Sequence, residues 1–243
     1  MDFSDLLNGT LCLIFTIIST TIGIVVALKY FKYKQKSFLY FGLSFIGIAS
    51  LWMAKSISII YTLITRENFD SILFMLIGNL FLPIAFFFWI LLFTELAYKK
   101  YKRILLLCFG IYSFIIEFSI IYFIINDPSQ IGLFIPPIEV ENSLLFSIYY
   151  SSLVFFILIT SILFGKISLK SENPQIRLRG SLIITGASLF FLGGIFEILS
   201  NIHIAIMIIG RLILIFSAIS YYAGNLLPQW VKKIFLKTKK ENV

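Results

Sequence analysis

The sequence predicts an all-α fold: a polytopic membrane protein, a seven-transmembrane helix bundle with its N-terminus outside and its C-terminus in the cytoplasm. Three observations carry this. Of the 243 residues, 59% are hydrophobic and 13% charged, against about 25% charged in soluble domains. Apolar runs of about 20 residues recur along the whole chain, each long enough to cross a roughly 30 Å hydrocarbon core. The basic residues sit in alternate connections between those runs, as cytoplasmic loops do.

The predicted spans are Leu6–Leu28, Phe38–Ile64, Ile72–Ala97, Ile104–Ile125, Ser143–Phe164, Ser181–Leu199 and Ile202–Tyr222. Each is expected to be a helix, because in lipid a segment must satisfy its own backbone hydrogen bonds. The runs are too long and too continuous for barrel strands. The first run begins almost at Met1 without a basic lead-in and is long enough to stay in the membrane, so no cleaved leader is expected. Cys12 and Cys108 lie within apolar runs and are expected to be packed thiols.

Charge sets the orientation. Lys29, Lys32, Lys34 and Lys36 fill the first connection; Lys99, Lys100, Lys102 and Arg103 the third; Lys166, Lys170, Arg177 and Arg179 the fifth; Lys232, Lys233, Lys237, Lys239 and Lys240 the tail. The opposite side carries Asp2, Asp5, Glu67, Asp70, Asp127, Glu139 and Glu141, with Arg66 as its one basic residue. An odd number of spans fits this alternation. The net charge of +8 is then explained by cytoplasmic loops, and nucleic acid is not an expected partner. The organisation is residues 1–227 as the transmembrane domain and 228–243 as a basic tail, in a multi-pass protein of the cell membrane.

One connection is longer. Residues 126–142, NDPSQIGLFIPPIEVEN, contain three prolines and an apolar middle, Ile131 to Ile138. The choice is between a plain connector and a lid folded over the bundle, since long loops often serve function. After Pro228, Trp230, Val231, Ile234 and Phe235 share one helical face, with Lys233, Lys237 and Lys240 largely opposite. This is the pattern of an interfacial amphipathic helix. Trp230, Lys232, Lys233 and Lys237 are its candidate membrane-surface anchors, with the lipid bilayer as partner.

Charged residues inside the spans are Lys55, Glu95, Glu117, Glu197 and Arg211. Such residues are costly in a bilayer and are usually paired or functional. Glu95 lies near the cytoplasmic end, within reach of the basic loop. Lys55, Glu117 and Arg211 lie roughly 12–14 Å below the outer edge, Asn79 about 11 Å and Glu197 about 5 Å. Small residues mark helix contact faces: Gly186 and Gly193 with Glu197, Gly47 and Ser58 with Lys55, Gly110 and Ser113 with Glu117. These charges are therefore expected to point inward. The expected pairs are Glu197 with Arg211 and Lys55 with Glu117. Two readings stand side by side: buried ion pairs that fix register, or an outer-half pocket whose ligand-binding residues are Lys55, Asn79, Glu117, Glu197 and Arg211. Tyr149, Tyr150 and His203 would complete its wall.

With one histidine and no acidic cluster, a zinc site is not expected. No serine, histidine and acid set stands at matching depth, and no glycine-rich phosphate loop occurs, so neither catalysis nor a cofactor is expected. The last span carries Arg211 and lacks the lysine that microbial rhodopsins use there, and the Asp-Arg-Tyr and Asn-Pro-x-x-Tyr motifs of G-protein-coupled receptors are absent. Pro174-Gln175 and Pro228-Gln229 fall outside the spans, where the motif of sugar carriers does not lie. The stretch Gln175 to Gly186, QIRLRGSLIITG, resembles the entry to the sixth span of the seven-helix sensor region that precedes some archaeal and bacterial histidine kinases. That resemblance implies a receptor-like sensor acting through a separate cytoplasmic signalling partner. A secondary transporter of a small solute and a structural membrane subunit without ligand are the alternatives.

Overall fold

The computed structural model of the protein describes residues 2–200 and 203–236. The fold is an all-α bundle with one small hairpin. Its helices are α1 (Phe3–Tyr33), α2 (Lys36–Ile48), α3 (Ser50–Thr65), α4 (Ser71–Asn79), α5 (Leu82–Leu96), α6 (Lys102–Asn126), α7 (Leu144–Leu169), α8 (Pro174–Ile198), α9 (Ile204–Leu226) and α10 (Gln229–Phe235). Among the described residues, six helices or near-straight pairs are long and apolar enough to cross a membrane, and seven if the bent pair α2 and α3 forms one span. The predicted start of the last span at Ile202, the turn at Asn201, and the tail residues Lys237, Lys239 and Lys240 lie outside the described residues.

Two spans are broken in ways the apolar runs do not announce. α2 and α3 meet at 47° across Ala49, which caps one helix and starts the other. There the Ser50 hydroxyl donates to the Gly78 carbonyl (3.0 Å), tying the bend to α4. Between α4 and α5 the cause is Pro83. Its ring removes the N–H that would bond the Asn79 carbonyl, and α4 ends at Asn79. The bend at Ala49 also separates faces that a straight helix would join. Gly47 abuts Ala85 of α5, whereas Lys55 faces α8; they do not share one contact face.

The helices close into a ring. α1 packs on α2, α3 and α9; α9 on α8; α8 on α7; and α5 on α2, α6 and α7. Glycine permits the closest approaches. A Cβ on Gly42 would collide with the Gly23 carbonyl oxygen, and one on Gly180 would stand 2.8 Å from that of Gly165. A core of Phe15, Phe41, Trp52, Trp89, Phe190, Leu214 and Tyr221 fills the middle. α6 lies at the periphery, packed on α5 and α4. That position explains why Cys108, expected to be packed, is exposed, while Cys12 in α1 is fully buried.

Residues 126–142 are an ordered cap rather than a bare connector. A helical turn, Pro128–Gln130, leads into β1 (Gly132–Ile135), which pairs antiparallel with β2 (Glu139–Asn142), Ile135 opposite Glu139. The turn between the strands carries a cis Pro136–Pro137 bond. Ile131 and Ile138 are fully buried, the Phe134 ring packs tilted against that of Phe74 of α4 (centroids 4.6 Å apart), and the Ser58 hydroxyl donates to the Pro137 carbonyl. The apolar middle of this connection therefore folds onto the bundle. At its root, hydrogen bonds from Ser129 and Gln130 hold the Asp127 carboxyl below the usual carboxylate range.

α10 turns off α9 at Leu227, whose left-handed backbone (φ 46°) precedes Pro228. Val231 packs with Ala223, Leu227, Leu178 and Leu182. Trp230, Ile234 and Phe235 remain exposed.

Candidate functional site

The polar network lies where α1, α3, α8, α9 and the hairpin converge. Arg211 of α9 is its centre and is 1% exposed. Its guanidinium grips Glu197 of α8 with both terminal nitrogens, Nη2 donating to Oε1 at 3.0 Å and Nη1 to Oε2. The fork geometry of arginine suits such a bidentate pair. The Nη2 and Nε groups also donate to Asn8 Oδ1 of α1, at 3.0 and 3.3 Å. Lys55 of α3 donates to Glu197 Oε1 at 3.0 Å, and Trp52 Nε1, one turn away, reaches Glu197 Oε2 at 3.4 Å.

The hairpin completes the network. Glu139 of β2 places Oε2 3.6 Å from Lys55 Nζ and accepts from Asn8 Nδ2 at 2.6 Å through Oε1. Asn8 therefore joins an acid and a base through one amide. Two bases, Lys55 and Arg211, meet two acids, Glu197 and Glu139, so the network is formally neutral. A buried ion pair tolerates its desolvation cost when remaining donors and acceptors are filled, and here Asn8 and Trp52 fill them.

The expected pair Glu197–Arg211 forms, and its helices are adjacent. The expected pair Lys55–Glu117 does not. Glu117 lies on α6, which packs on α5 and α4 rather than on α3. Lys55 instead takes Glu139, which the sequence places outside every span. Asn79 also stands apart from the charged network: its Nδ2 donates to Met75 O (2.9 Å) and its Oδ1 accepts from the Tyr150 hydroxyl. His203 caps α9, its Nδ1 accepting from the Ala205 N–H at 3.1 Å. Glu95 meets Lys102 at 2.5 Å, as its place beside the basic loop suggests. Of the expected ligand-binding residues, Lys55, Glu197 and Arg211 come together, while Asn79 and Glu117 do not join them.

Sequence reasoning missed Asn8, Glu139 and Trp52. Asn8 stands one turn before the buried Cys12, and Glu139 follows the Pro136-Pro137 pair within a connection that has an apolar middle. An apolar loop able to fold inward was the available signal that its acids could reach the bundle.

Other polar side chains satisfy one another further toward the lysine-rich end. Trp89 Nε1 donates to Thr160 (2.9 Å), and the Ser161 and Tyr221 hydroxyls stand 3.1 Å apart. Beside them lies a cavity of about 30 Å³ lined in part by Thr160, Ser161, Tyr221 and Asn225. Among the described residues no group of three or more histidine, cysteine or acidic side chains converges as metal ligands would.

No family model, curated protein or solved structure matches the chain.

Proposed function

We propose that the protein is a receptor-like sensor of the cell membrane, with its N-terminus and hairpin outside and its basic tail in the cytoplasm. In this reading the network of Lys55, Glu197, Arg211, Asn8 and Glu139 is the ligand-responsive element. The observation that carries it is that one member, Glu139, comes from a connection while the others come from helices. Glu139 is also the most exposed of the four charged groups, at 28%. A small anion entering from outside meets a lysine and an amide donor already arranged for a carboxylate. By taking the place of Glu139, it would release the hairpin from α3 and α1. Binding energy would then become a shift between a closed and an open cap, which is how a ligand moves a two-state equilibrium. The resemblance at Gln175 to Gly186 adds the expectation of a separate cytoplasmic partner that reads this shift.

The transporter alternative draws on the cavity near Thr160, Ser161 and Asn225, which it would use as part of an inner path. A structural subunit without ligand is the third reading. Hydrogen exchange separates them. The full chain in nanodiscs is exposed to millimolar acetate, succinate or phosphate, and the amides of β1 and β2 are followed. Faster exchange with one of these anions, lost in Lys55→Gln, supports the sensor reading. Counterflow of that anion in proteoliposomes would replace it with the transporter. Exchange that ignores all three anions, in a chain where Glu139→Gln also leaves the hairpin closed, removes the cap as a responsive element.

A further inference from the structure

Glu117 is the odd charge in the bundle. Of the charged side chains within the helical spans, Lys55, Glu197 and Arg211 share one network and Glu95 pairs with Lys102. Glu117 makes no salt bridge among the described residues, and its Oε2 is buried without a hydrogen-bond partner. The same is true of the hydroxyls of Ser113 and Tyr149, residues that are 8% and 6% exposed. Among the described residues, buried side-chain polar atoms without a partner occur at five positions, and these are three of them.

Ser113 and Glu117 lie on α6 and Tyr149 on α7, along the gap between two helices whose backbones do not pack closely. α6 and α7 touch through aromatic pairs on either side of it, Phe123 with Phe146 (6.4 Å) and Phe109 with Phe156 (4.9 Å). Counting at about 1.5 Å per residue from each contact sets Glu117 level with the turn of α7 that carries Tyr149 and Tyr150. Tyr149 lies in the same apolar cluster as Ile116 and Ile120, the neighbours of Glu117 on α6. Ser113 precedes Glu117 by one helical turn. Around them α6 presents Phe114, Ile115 and Phe118 outward, so the approach to the gap is from the side, through the apolar surface.

We propose that this gap is a lateral binding site for a membrane-dissolved amine. An ammonium group offers three N–H donors, and the gap offers three unpartnered oxygens: one carboxylate and two hydroxyls. In low-dielectric surroundings an isolated carboxylate attracts a cation far more strongly than in water. A charge placed in a bilayer span is ordinarily matched, and among the described residues no base matches Glu117. The alkyl chain of the amine stays among the lipids. The site stands on different residues from the network under the hairpin and does not depend on the sensor reading.

The test uses the full chain in phosphatidylcholine nanodiscs, with dodecylamine carrying a nitroxide at the chain end, and the matching dodecanol. The immobilised spectral fraction reports binding. Wild type should immobilise the amine and not the alcohol, with competition by unlabelled dodecylamine. Loss of one charge-assisted contact in Glu117→Gln should weaken binding about tenfold, with a smaller loss in Tyr149→Phe and in Ser113→Ala. Lys55→Gln and Glu139→Gln should bind as wild type does. Equal immobilisation of amine and alcohol, or equal amine affinity in wild type and Glu117→Gln, overturns the proposal. If Glu117→Gln does not fold, Tyr149→Phe decides, and unchanged affinity there overturns it as well.

Discussion

Lys55 of α3 and Glu139 of the hairpin stand 3.6 Å apart, ammonium nitrogen to carboxylate oxygen. Through this contact a connection between helices becomes part of the charge balance of the bundle interior. Glu139→Gln should therefore loosen the hairpin more than the bundle. The pair is partly exposed, and such pairs contribute about 1 kcal/mol or less. The expected result is faster amide exchange in β1 and β2 with a small shift in the melting temperature. Exchange unchanged in the hairpin would show that Ile131, Ile138 and Phe134 hold it without the charge.

The central acid should matter more than either base it serves. Glu197 accepts from Arg211, Lys55 and Trp52. Glu197→Gln leaves two cations facing one acid, Glu139. Arg211→Met leaves Glu197 with Lys55 still beside it. Breaking a buried pair costs about 3–5 kcal/mol in soluble proteins, and less where a membrane reference state finds other partners. Glu197→Gln is expected to lower the detergent melting temperature more than Arg211→Met does. The double variant should be milder than the sum, because it keeps the neutral pair Lys55–Glu139. Strict additivity of the two changes would mean that the two side chains do not share an interaction.

How much of this was legible follows from the kind of signal each feature leaves. The spans were legible because hydrophobic length is a local property, and the pair Glu197–Arg211 because a short connection makes α8 and α9 neighbours. The partner of Lys55 was not legible. It depends on how a connection folds back, which no local pattern along α3 encodes. The breaks at Ala49 and Asn79 were hidden for a different reason: both lie inside runs that stay apolar enough on either side to read as single spans. Pro83 was the visible clue to the second break. The apolar face around Trp230 divides in the fold: Trp230, Ile234 and Phe235 are exposed, whereas Val231 packs on α9 and α8, a contact that the periodicity of the tail alone does not encode.

The break at Pro83 makes its own prediction. Asn79 ends α4 and its side-chain oxygen accepts from the Tyr150 hydroxyl, so the hydrogen bond links α4 to α7. Tyr150→Phe removes the donor and leaves a buried amide oxygen unsatisfied. Such a loss costs about 1–3 kcal/mol. Asn79→Ala should cost a similar amount, and the double variant little more than either one. Thermal unfolding of the four proteins in one detergent measures the coupling, and its absence would mean that the two side chains act separately.

Orientation is open to a direct check. The N-terminus is expected outside and residue 242 in the cytoplasm. Ser4→Cys and Asn242→Cys, made singly in a chain with Cys12 and Cys108 replaced by serine or alanine, should react with an impermeant maleimide from opposite faces of sealed vesicles. Labelling of both from one face would require an even number of spans. The bent pair α2 and α3 would then be the first place to look, since its 47° break suits a segment that enters and leaves on one side.

The tail combines exposed apolar side chains with basic ones. Trp230, Ile234 and Phe235 are exposed on α10 while Val231 holds the helix to α8 and α9. Exposed aromatic and aliphatic groups beside Lys232 and Lys233 are the arrangement by which a short helix lies in the headgroup region. Anionic lipid adds about 1 kcal/mol for each lysine near the surface. Replacing Lys232, Lys233, Lys237, Lys239 and Lys240 with glutamine should leave the bundle inserted. It should weaken binding of a peptide of residues 228–243 to phosphatidylserine vesicles by at least about a hundredfold. Trp230→Ala should instead weaken binding to anionic and zwitterionic vesicles alike, because it removes apolar area and no charge. Salt separates the two contributions: raising ionic strength shortens the screening length and should abolish the lysine effect while sparing that of Trp230. Binding that neither salt nor the five replacements alters would mean that the apolar face of α10 alone holds the tail and that its lysines serve another partner.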